Sequence, residues 1–385
     1  MSGRPLDVCL VSRVLWPGGS QRILIAEGEQ LARRGHSVDL VFVRDTGIGS
    51  LTSAIPYRVL HGPRASRRHL GRFLQWMTAR YGPERGPEAT VDLDLLWRFE
   101  RDRRHYDVVV YGDPWAAVFA RGGARRHGDR YVVHVHETSF GVHDFHGHNY
   151  VPRLLEGRAL RTAGSILTSS RTNSEALDRA GFSGVEVLYP GVAPSREVPA
   201  FEARENLAVS VTVWDPGRHP EVFLEIAAEL DRGRILLVGQ WTDAAALARF
   251  RNEIAARGLT ERLGASGAVS EDALVDHYRR AKAAIRFGFG EAGPGMGSLE
   301  ALGHGIPLII NPGVGVRELV VPGESCLQFP EHDAPAIAQG LARLFDDAAY
   351  WSRLSDGARA VAQSRSWASH GTQLERILRS DARVG

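Results

Sequence analysis

FGFGEAGPGMGSLEALGHGIPLIIN, residues 287–311, closes a short apolar strand, crosses a glycine-dense loop, enters a helix and ends in a second apolar run. The strand is expected at Ala283–Phe287, the helix around Ser298–Leu302, and the second strand at Pro307–Ile310 behind a Gly-Ile-Pro turn. A strand feeding a glycine-rich turn and a helix N-terminus forms an anion cradle. Its backbone N–H groups point outward, the helix dipole adds positive potential, and glycine lets the main chain approach a phosphate closely. Glu300, near the start of that helix, stands where a carboxylate can accept hydrogen bonds from a diol. Phosphate and diol together point to a nucleotide, with Gly295, Met296, Gly297, Ser298 and Glu300 as its contacts. A glycine-rich turn alone punctuates many chains, so its weight depends on its neighbours.

Outward from this stretch, apolar runs alternate with amphipathic segments along the whole chain, which predicts α/β architecture with parallel sheets. In the first half the runs are Asp7–Val11, Val38–Val43, Val108–Tyr111, Tyr131–His136, Ser165–Thr168 and Val185–Leu188. A helix over Gln21–Arg34 carries Leu24, Ile25, Leu31 and Ala32 on one face, with Gly35 as its stop. In the second half the strands are Ala208–Val213, Arg234–Val238, Ala283–Phe287, Pro307–Ile310 and Cys326–Phe329. Between them helices are expected at Val222–Leu230, Asp243–Ala256, Glu271–Lys282, Ser298–Leu302 and Pro335–Phe345. The prolines and glycine of PGVAPSREVP (Pro190–Pro199) break both periodicities and mark a hinge. The expected divisions are residues 1–192, residues 200–365, and a last helix, 366–385, that crosses back onto the first domain. Two doubly wound, Rossmann-like domains facing a central cleft follow, with ligands beyond the carboxyl ends of the strands.

Composition narrows the function classes. In 385 residues, 47 basic and 45 acidic side chains leave a net charge of +2, which gives no electrostatic case for nucleic acid. Cys9 and Cys326 lie far apart within apolar runs and read as buried thiols of a reducing, cytoplasmic setting. The opening MSGRPLDVCLV lacks the pattern of a signal peptide. No apolar run approaches the ~20 residues that span a bilayer. Peripheral membrane contact stays open through the basic Arg64–Arg72 stretch, where Leu70, Phe73, Leu74 and Met77 share one helical face. The same stripe equally suits packing on its own domain. Asp92-Leu93-Asp94 mimics a metal-binding carboxylate pair but sits in a helical stretch, and no metal site is read there.

Segments in order along nearly the whole chain resemble family 4 glycosyltransferases of the GT-B fold. Trp16-Pro17-Gly18-Gly19-Ser20-Gln21-Arg22 resembles the family's Gly-Gly loop, which faces donor phosphates and acceptor. VVHVHET, residues 132–138, resembles the strand end that carries a cleft histidine. ILTSSRTNSEAL with VEVLYPGV resembles the approach to the linker, and GAVSEDALVDHYRRA, with Val269, the stretch that flanks the nucleotide base. The opening motif, GVRELV, PGESCLQF and the final RSWASHGTQLERIL complete the series. The resemblance implies a retaining enzyme that moves a hexose from a nucleoside-diphosphate sugar to a hydroxyl acceptor. It implies no metal and no cofactor beyond that co-substrate.

The chain departs from the family in two places. The family's two glutamates are separated by seven residues; here Glu291 lies nine positions before Glu300, and Ala292 occupies the expected site. Glu291 reaches the donor sugar if the loop bulges; otherwise backbone N–H groups take its place. The family's diphosphate clamp is an Arg followed five residues later by a Lys. In SVTVWDPGRHP the first position is Val213 and the second Arg218, so Arg286, at a strand end beside the glycine loop, is the candidate second cation. Leaving-group stabilisation needs only these charges, the helix dipole and backbone N–H groups, and the departing phosphate can help remove the acceptor's proton. The expected catalytic set is therefore His136, Glu291 and Arg218, with Gly18, Gly19 and Arg286 completing the donor contacts.

His134 shares a strand face with His136, so either can be the working histidine. His143 and His146, in GVHDFHGHN with His148, are irregularly spaced without a partner cysteine and read as acceptor-binding, not metal-ligating. The Arg, Ala and Gly richness fits a high-GC bacterium, where such enzymes build surface glycans, glycolipids or natural products. Two alternatives use the same site: a degenerate member acting as a non-catalytic subunit or binding protein, and an enzyme that acts on nucleotide sugar without a sugar acceptor. A nicotinamide dehydrogenase is disfavoured, because residues 17–22 read PGGSQR and lack the Gly-x-Gly-x-x-Gly spacing.

Overall fold

Strands buried on both faces must be apolar throughout, and the short runs DVCLV, VVVY, SILT and RILLV become the centres of two parallel sheets. A computed structural model of the chain describes residues 4–47, 51–62, 86–136, 140, 150–241, 243–289, 292–330 and 333–380. The chain forms two units, one of Met1–Pro190 with Trp367–Gly385, the other of Gly191–Ser366.

The first unit contains β1 (Asp7–Leu15), α1 (Gly19–Arg33), β2 (Ser37–Asp45), β3 (Tyr57–His61), α2 (Gly86–Asp102), β4 (Val108–Tyr111) and α3 (Ala120–His127). It continues through β5 (Arg130–Val135), α4 (Tyr150–Arg161), β6 (Ser165–Thr168), α5 (Arg171–Arg179) and β7 (Val185–Val187), and takes in the chain's last helix, α12 (Trp367–Arg379). Its seven-stranded sheet has the order β3-β2-β1-β4-β5-β6-β7. Val8 pairs with Val38 on one side and Val108 on the other. Alternate residues of β1 feed opposite faces. Val8 and Leu10 join a core with Leu24, Leu31, Leu374 and Ile377 of α1 and α12. Cys9 and Val11 join one with Leu96 and Phe99 of α2 and Leu160 of α4. Gly35, at φ +84°, terminates α1 as expected.

Two buried ion networks brace this unit. Arg103 donates to Glu100 at 2.9 Å and grips both oxygens of Asp129. Asp92 receives Arg13 Nη1 at 2.7 Å and Arg44 Nε at 2.5 Å, so the carboxylate of the Asp92-Leu93-Asp94 triplet holds strands to a helix. Both cysteines are buried free thiols.

The second unit contains β8 (Glu205–Val211), α6 (Val222–Ala228), β9 (Arg234–Val238), α7 (Ala244–Ala256), β10 (Leu263–Gly267), α8 (Glu271–Arg280) and β11 (Ala281–Arg286). After these come α9 (Met296–Gly303), β12 (Leu308–Ile310), β13 (Cys326–Gln328), α10 (Ala334–Asp346) and α11 (Ala348–Ser364). Its six-stranded parallel sheet has the order β10-β9-β8-β11-β12-β13.

Several elements differ from the sequence expectation. The edge strands β3 and β10 were not expected: YRVLH is short and half-exposed, and LGASG carries two glycines with little β-propensity. Helix α8 stops at Arg280 instead of Lys282, because Ala281 and Lys282 already belong to β11. Helix α11 also went unassigned. The Leu70–Met77 stripe and the Arg64–Arg72 stretch lie outside the described residues. Among the described residues no helix is long and apolar enough to cross a membrane.

Candidate functional site

In both sheets the winding direction reverses between two central strands, β1 and β4 in the first unit and β8 and β11 in the second. Beyond the carboxyl ends of such strands a crevice opens because the flanking connections leave in opposite directions. Of the sequence-predicted donor residues of the second unit, Arg218, Arg286 and those at the start of α9 follow β8 and β11 at this point, whereas Val269 follows β10.

After β8 the chain makes a single tight turn, Pro216–Arg218, which Asp215 starts by accepting the Gly217 N–H at 2.8 Å. His219 follows at φ +47°, a left-handed conformation that no other described non-glycine residue adopts. The ring of Phe289 covers it, with centroids 4.3 Å apart. This closed turn delivers Arg218. From the neighbouring strand, Arg286 ends β11 and is 7% exposed. A Cβ on Gly295, the N-cap of α9, would stand 3.5 Å from Arg286 Nε, so the guanidinium lies directly under the helix start. Burial, and next the like charge of Arg218, push Arg286 down to about 9, against the pull of Asp215. It remains a cation at neutral pH. The Arg286 guanidinium thus lies at the N-terminus of α9, with the charge of Arg218 near enough to depress it. Asn311 clamps the loop between them, accepting from Gly288 N and donating to Gly288 O, both at 2.9 Å.

Helix α9 approaches β8 closely: a Cβ on Gly297 would stand 2.5 Å from Val211 O. Glycine at this position lets the helix start sit at the strand end. Tyr278 of α8, fully buried, points its hydroxyl at Gly297 O (3.2 Å) and Glu300 Oε2 (3.1 Å), which orients the carboxylate. The sequence reading overlooked Tyr278; its only signal was an aromatic on the apolar face of DALVDHYRR. Ser298 Oγ is buried in the first turn of α9 without a hydrogen-bond partner among the described residues. Val269 lies just past β10, two strands from β8, half-buried ahead of the Ser270 cap of α8.

In the first unit Gly18 caps α1 and Gly19 opens it at the end of β1. A Cβ on Gly18 would meet the Trp16 ring at 2.6 Å. Helices α1 and α9 have neither a side-chain cap nor an acidic residue in the first turn. By contrast α5, α7, α8, α10 and α11 are capped by Ser170, Asp243, Ser270, Asp333 and Asp347. Both switch-point helices thus leave first-turn N–H groups without a side-chain acceptor, the arrangement that receives an anion. Asp113, just past β4, was also missed. It accepts Ala116 N at 2.6 Å, and burial raises its carboxyl above the ordinary value.

The two histidines that the sequence left equivalent are separated by the structure. His134 is completely buried, its Nδ1 2.9 Å from Glu27 Oε1, and has no surface to offer an acceptor. His136 follows the end of β5 and is half-buried, its carbonyl held by Asn173 Nδ2 at 2.9 Å. Burial, and next the neighbouring His134, hold its ring well below the usual histidine range, so it is neutral at pH 7. Glu291, His143 and His146 lie outside the described residues.

The family model described as glycosyl transferase 4-like domain matches residues 18–193, and the one described as glycosyl transferases group 1 matches residues 193–361. The chain belongs to these glycosyltransferases of the GT-B fold. Solved structures carry the same fold at low identity. Sucrose-phosphate synthase from Thermosynechococcus elongatus superposes with a TM-score of 0.77 at 18% identity, covering 98% of each chain. HepE from Anabaena, in complex with UDP and glucose, superposes at 0.74 and 15%, covering 97% of this chain and 99% of its own. The lipopolysaccharide outer core galactosyltransferase WaaB superposes at 0.65 and 14%, covering 96% and 98%. No curated protein matches the sequence.

Proposed function

We propose that this glycosyltransferase transfers a hexose, with retention of configuration, from a nucleoside-diphosphate sugar to a hydroxyl acceptor. The setting is the cytoplasmic synthesis of bacterial surface glycans, glycolipids or glycosylated natural products. The observation that carries this reading is Arg286 beneath the uncapped start of α9, with the charge of Arg218 near it and Glu300 held by Tyr278. HepE, bound to UDP and glucose, supports a nucleotide-sugar donor.

In this reading a diphosphate lies against the two guanidinium groups, the first-turn N–H groups of α9 and the Ser298 hydroxyl, while Glu300 accepts hydrogen bonds from the ribose diol. Val269 is assigned to the base, and Gly18 and Gly19 are assigned to donor contacts. As the anomeric carbon gains positive charge, these donors stabilise the leaving diphosphate without a metal. The departing phosphate oxygen then removes the acceptor proton on the same face, which retains configuration. Neutral His136 suits a hydrogen bond to sugar or acceptor. Glu291 is assigned to the donor sugar, and His143 and His146 to the acceptor.

The test is turnover of UDP-, GDP-, ADP- and dTDP-hexoses with simple glycoside acceptors in EDTA. The expected result is nucleotide release that depends on acceptor, is indifferent to chelator, and gives a product of unchanged anomeric configuration by NMR. Release without acceptor would point to hydrolysis or isomerisation, and a strict metal requirement would overturn the clamp mechanism.

A further inference from the structure

Glu27, in the middle of α1, is a carboxylate with no exposure. A lone ionised carboxylate there would be untenable, and its surroundings explain how it is kept. Oε1 lies 2.9 Å from His134 Nδ1 on β5 and 3.1 Å from His370 Nε2 on α12. Burial would raise its pKa, but His134 and then His370 outweigh burial and hold it well below the carboxylate range. Glu27 is therefore an anion, and His370 Nε2, which is hydrogen-bonded to it, donates.

His370 has a second constraint. Its Nδ1 is 2.8 Å from the carbonyl of Tyr189, an oxygen that can only accept. With acceptors at both nitrogens, His370 satisfies both bonds only as the imidazolium, which pairs with Glu27 inside the core. His134 Nδ1 stands at ion-pair distance from Glu27 Oε1 without hydrogen-bond alignment, and its Nε2 has no partner among the described residues. The His134 ring lies against that of His136, with centroids 4.2 Å apart and planes at 36°. The titratable groups that face one another here are Glu27 from α1, His134 from β5, His136 just past β5, and His370 from α12. Tyr189 and Trp367 stand close to the points where the chain leaves the first unit and returns to it.

From this geometry we infer that Glu27 and His370 are positioning residues for His136. Through its ion-pair contact Glu27 holds in place the ring on which His136 rests. His370 locks the same carboxylate to the Tyr189 segment and the last helix. The inference rests on His136 taking part in transfer, and its test separates the two ideas.

In the full chain carrying 15N-labelled histidine, long-range NMR correlations at pH 7 should show His370 doubly protonated. Glu27→Gln keeps the shape and removes the charge. His370 should then release a proton, and the His136 ring signals should shift. Where wild type turns over, kcat of this variant should fall on the order of 10–100-fold, because misplaced groups cost that much. KM for the nucleotide sugar should stay within about twofold, since uniform donor binding is untouched, and Glu27→Asp should recover part of kcat. If Glu27→Gln fails to fold, His370→Gln is read by the same signals. A neutral His370 in wild type, or His136 signals and kcat unchanged in the variants, overturns the inference. Absence of wild-type turnover with every donor would instead count against the proposed function, while the NMR result would still decide the positioning.

Discussion

Replacing Arg286 by Met is expected to weaken nucleoside-diphosphate binding by roughly 10–100-fold, since a hydrogen bond to a charged group contributes ~1.5–3 kcal/mol. The ligand-free protein should melt at or above the wild-type temperature. The two effects have one cause. Arg286 is held 7% exposed beneath a helix start, beside the charge of Arg218. A base whose folded-state pKa is depressed costs stability at every pH below that value, here about 9, so at neutral pH the full cost is in force. Methionine fills similar space without the charge. A diphosphate would relieve the same strain by bringing the counter-charge. If Arg218 and Arg286 grip one anion, the double variant should lose less affinity than the product of the single losses. Calorimetry with thermal melts reads all of this. Wild-type affinity in Arg286→Met would remove Arg286 from the site and leave the Arg missing at Val213 without a substitute.

Arg103→Met should destabilise the first unit by about 3–5 kcal/mol, the usual consequence of removing one partner from a buried ion network. Arg103 is 2% exposed, and it serves Asp129 (0%) and Glu100 (4%) together. Glu100 is already pushed up by burial, and Arg103 is the main influence holding it back. Without Arg103 the Glu100 carboxyl rises further. A carboxyl with a raised folded-state pKa contributes its stability below the unfolded value and loses it as pH climbs through the folded one. Melts at pH 5 and pH 8 should therefore show part of the loss recovered at pH 5. An equal loss at both would mean that packing, not orphaned charge, accounts for it.

The fold was legible where the physics is local. Val108–Tyr111, Ser165–Thr168 and Arg234–Val238 form strands at the expected residues, because short apolar runs bounded by turns have few alternatives in an α/β chain. Gly35 stopped α1 for the same reason. LGASG gave no such signal, since its strand character comes from pairing with β9. The placement of Arg286 was equally legible: an arginine at the end of a buried strand needs a reason to be there. The charge state and environment of Glu27 were not. In the sequence it is one of many helix glutamates, and only folding brings it to His134 and to His370, which is 343 residues away. Tyr278 likewise became a site residue only when α8 and α9 came together. His134 and His136, two residues apart on one strand face, differ because one lies under α1 and α12 and the other beyond the strand end.

The most direct test of the central claim is a thermal-shift panel of the full chain with UDP, GDP, ADP, dTDP and CDP and their common hexose conjugates. The result expected is one nucleotide raising the melting temperature well above its relatives, an effect that disappears in the Arg218→Ala, Arg286→Met double variant. A flat profile across the panel would contradict the donor site and leave the chain a glycosyltransferase by fold without a working nucleotide cradle.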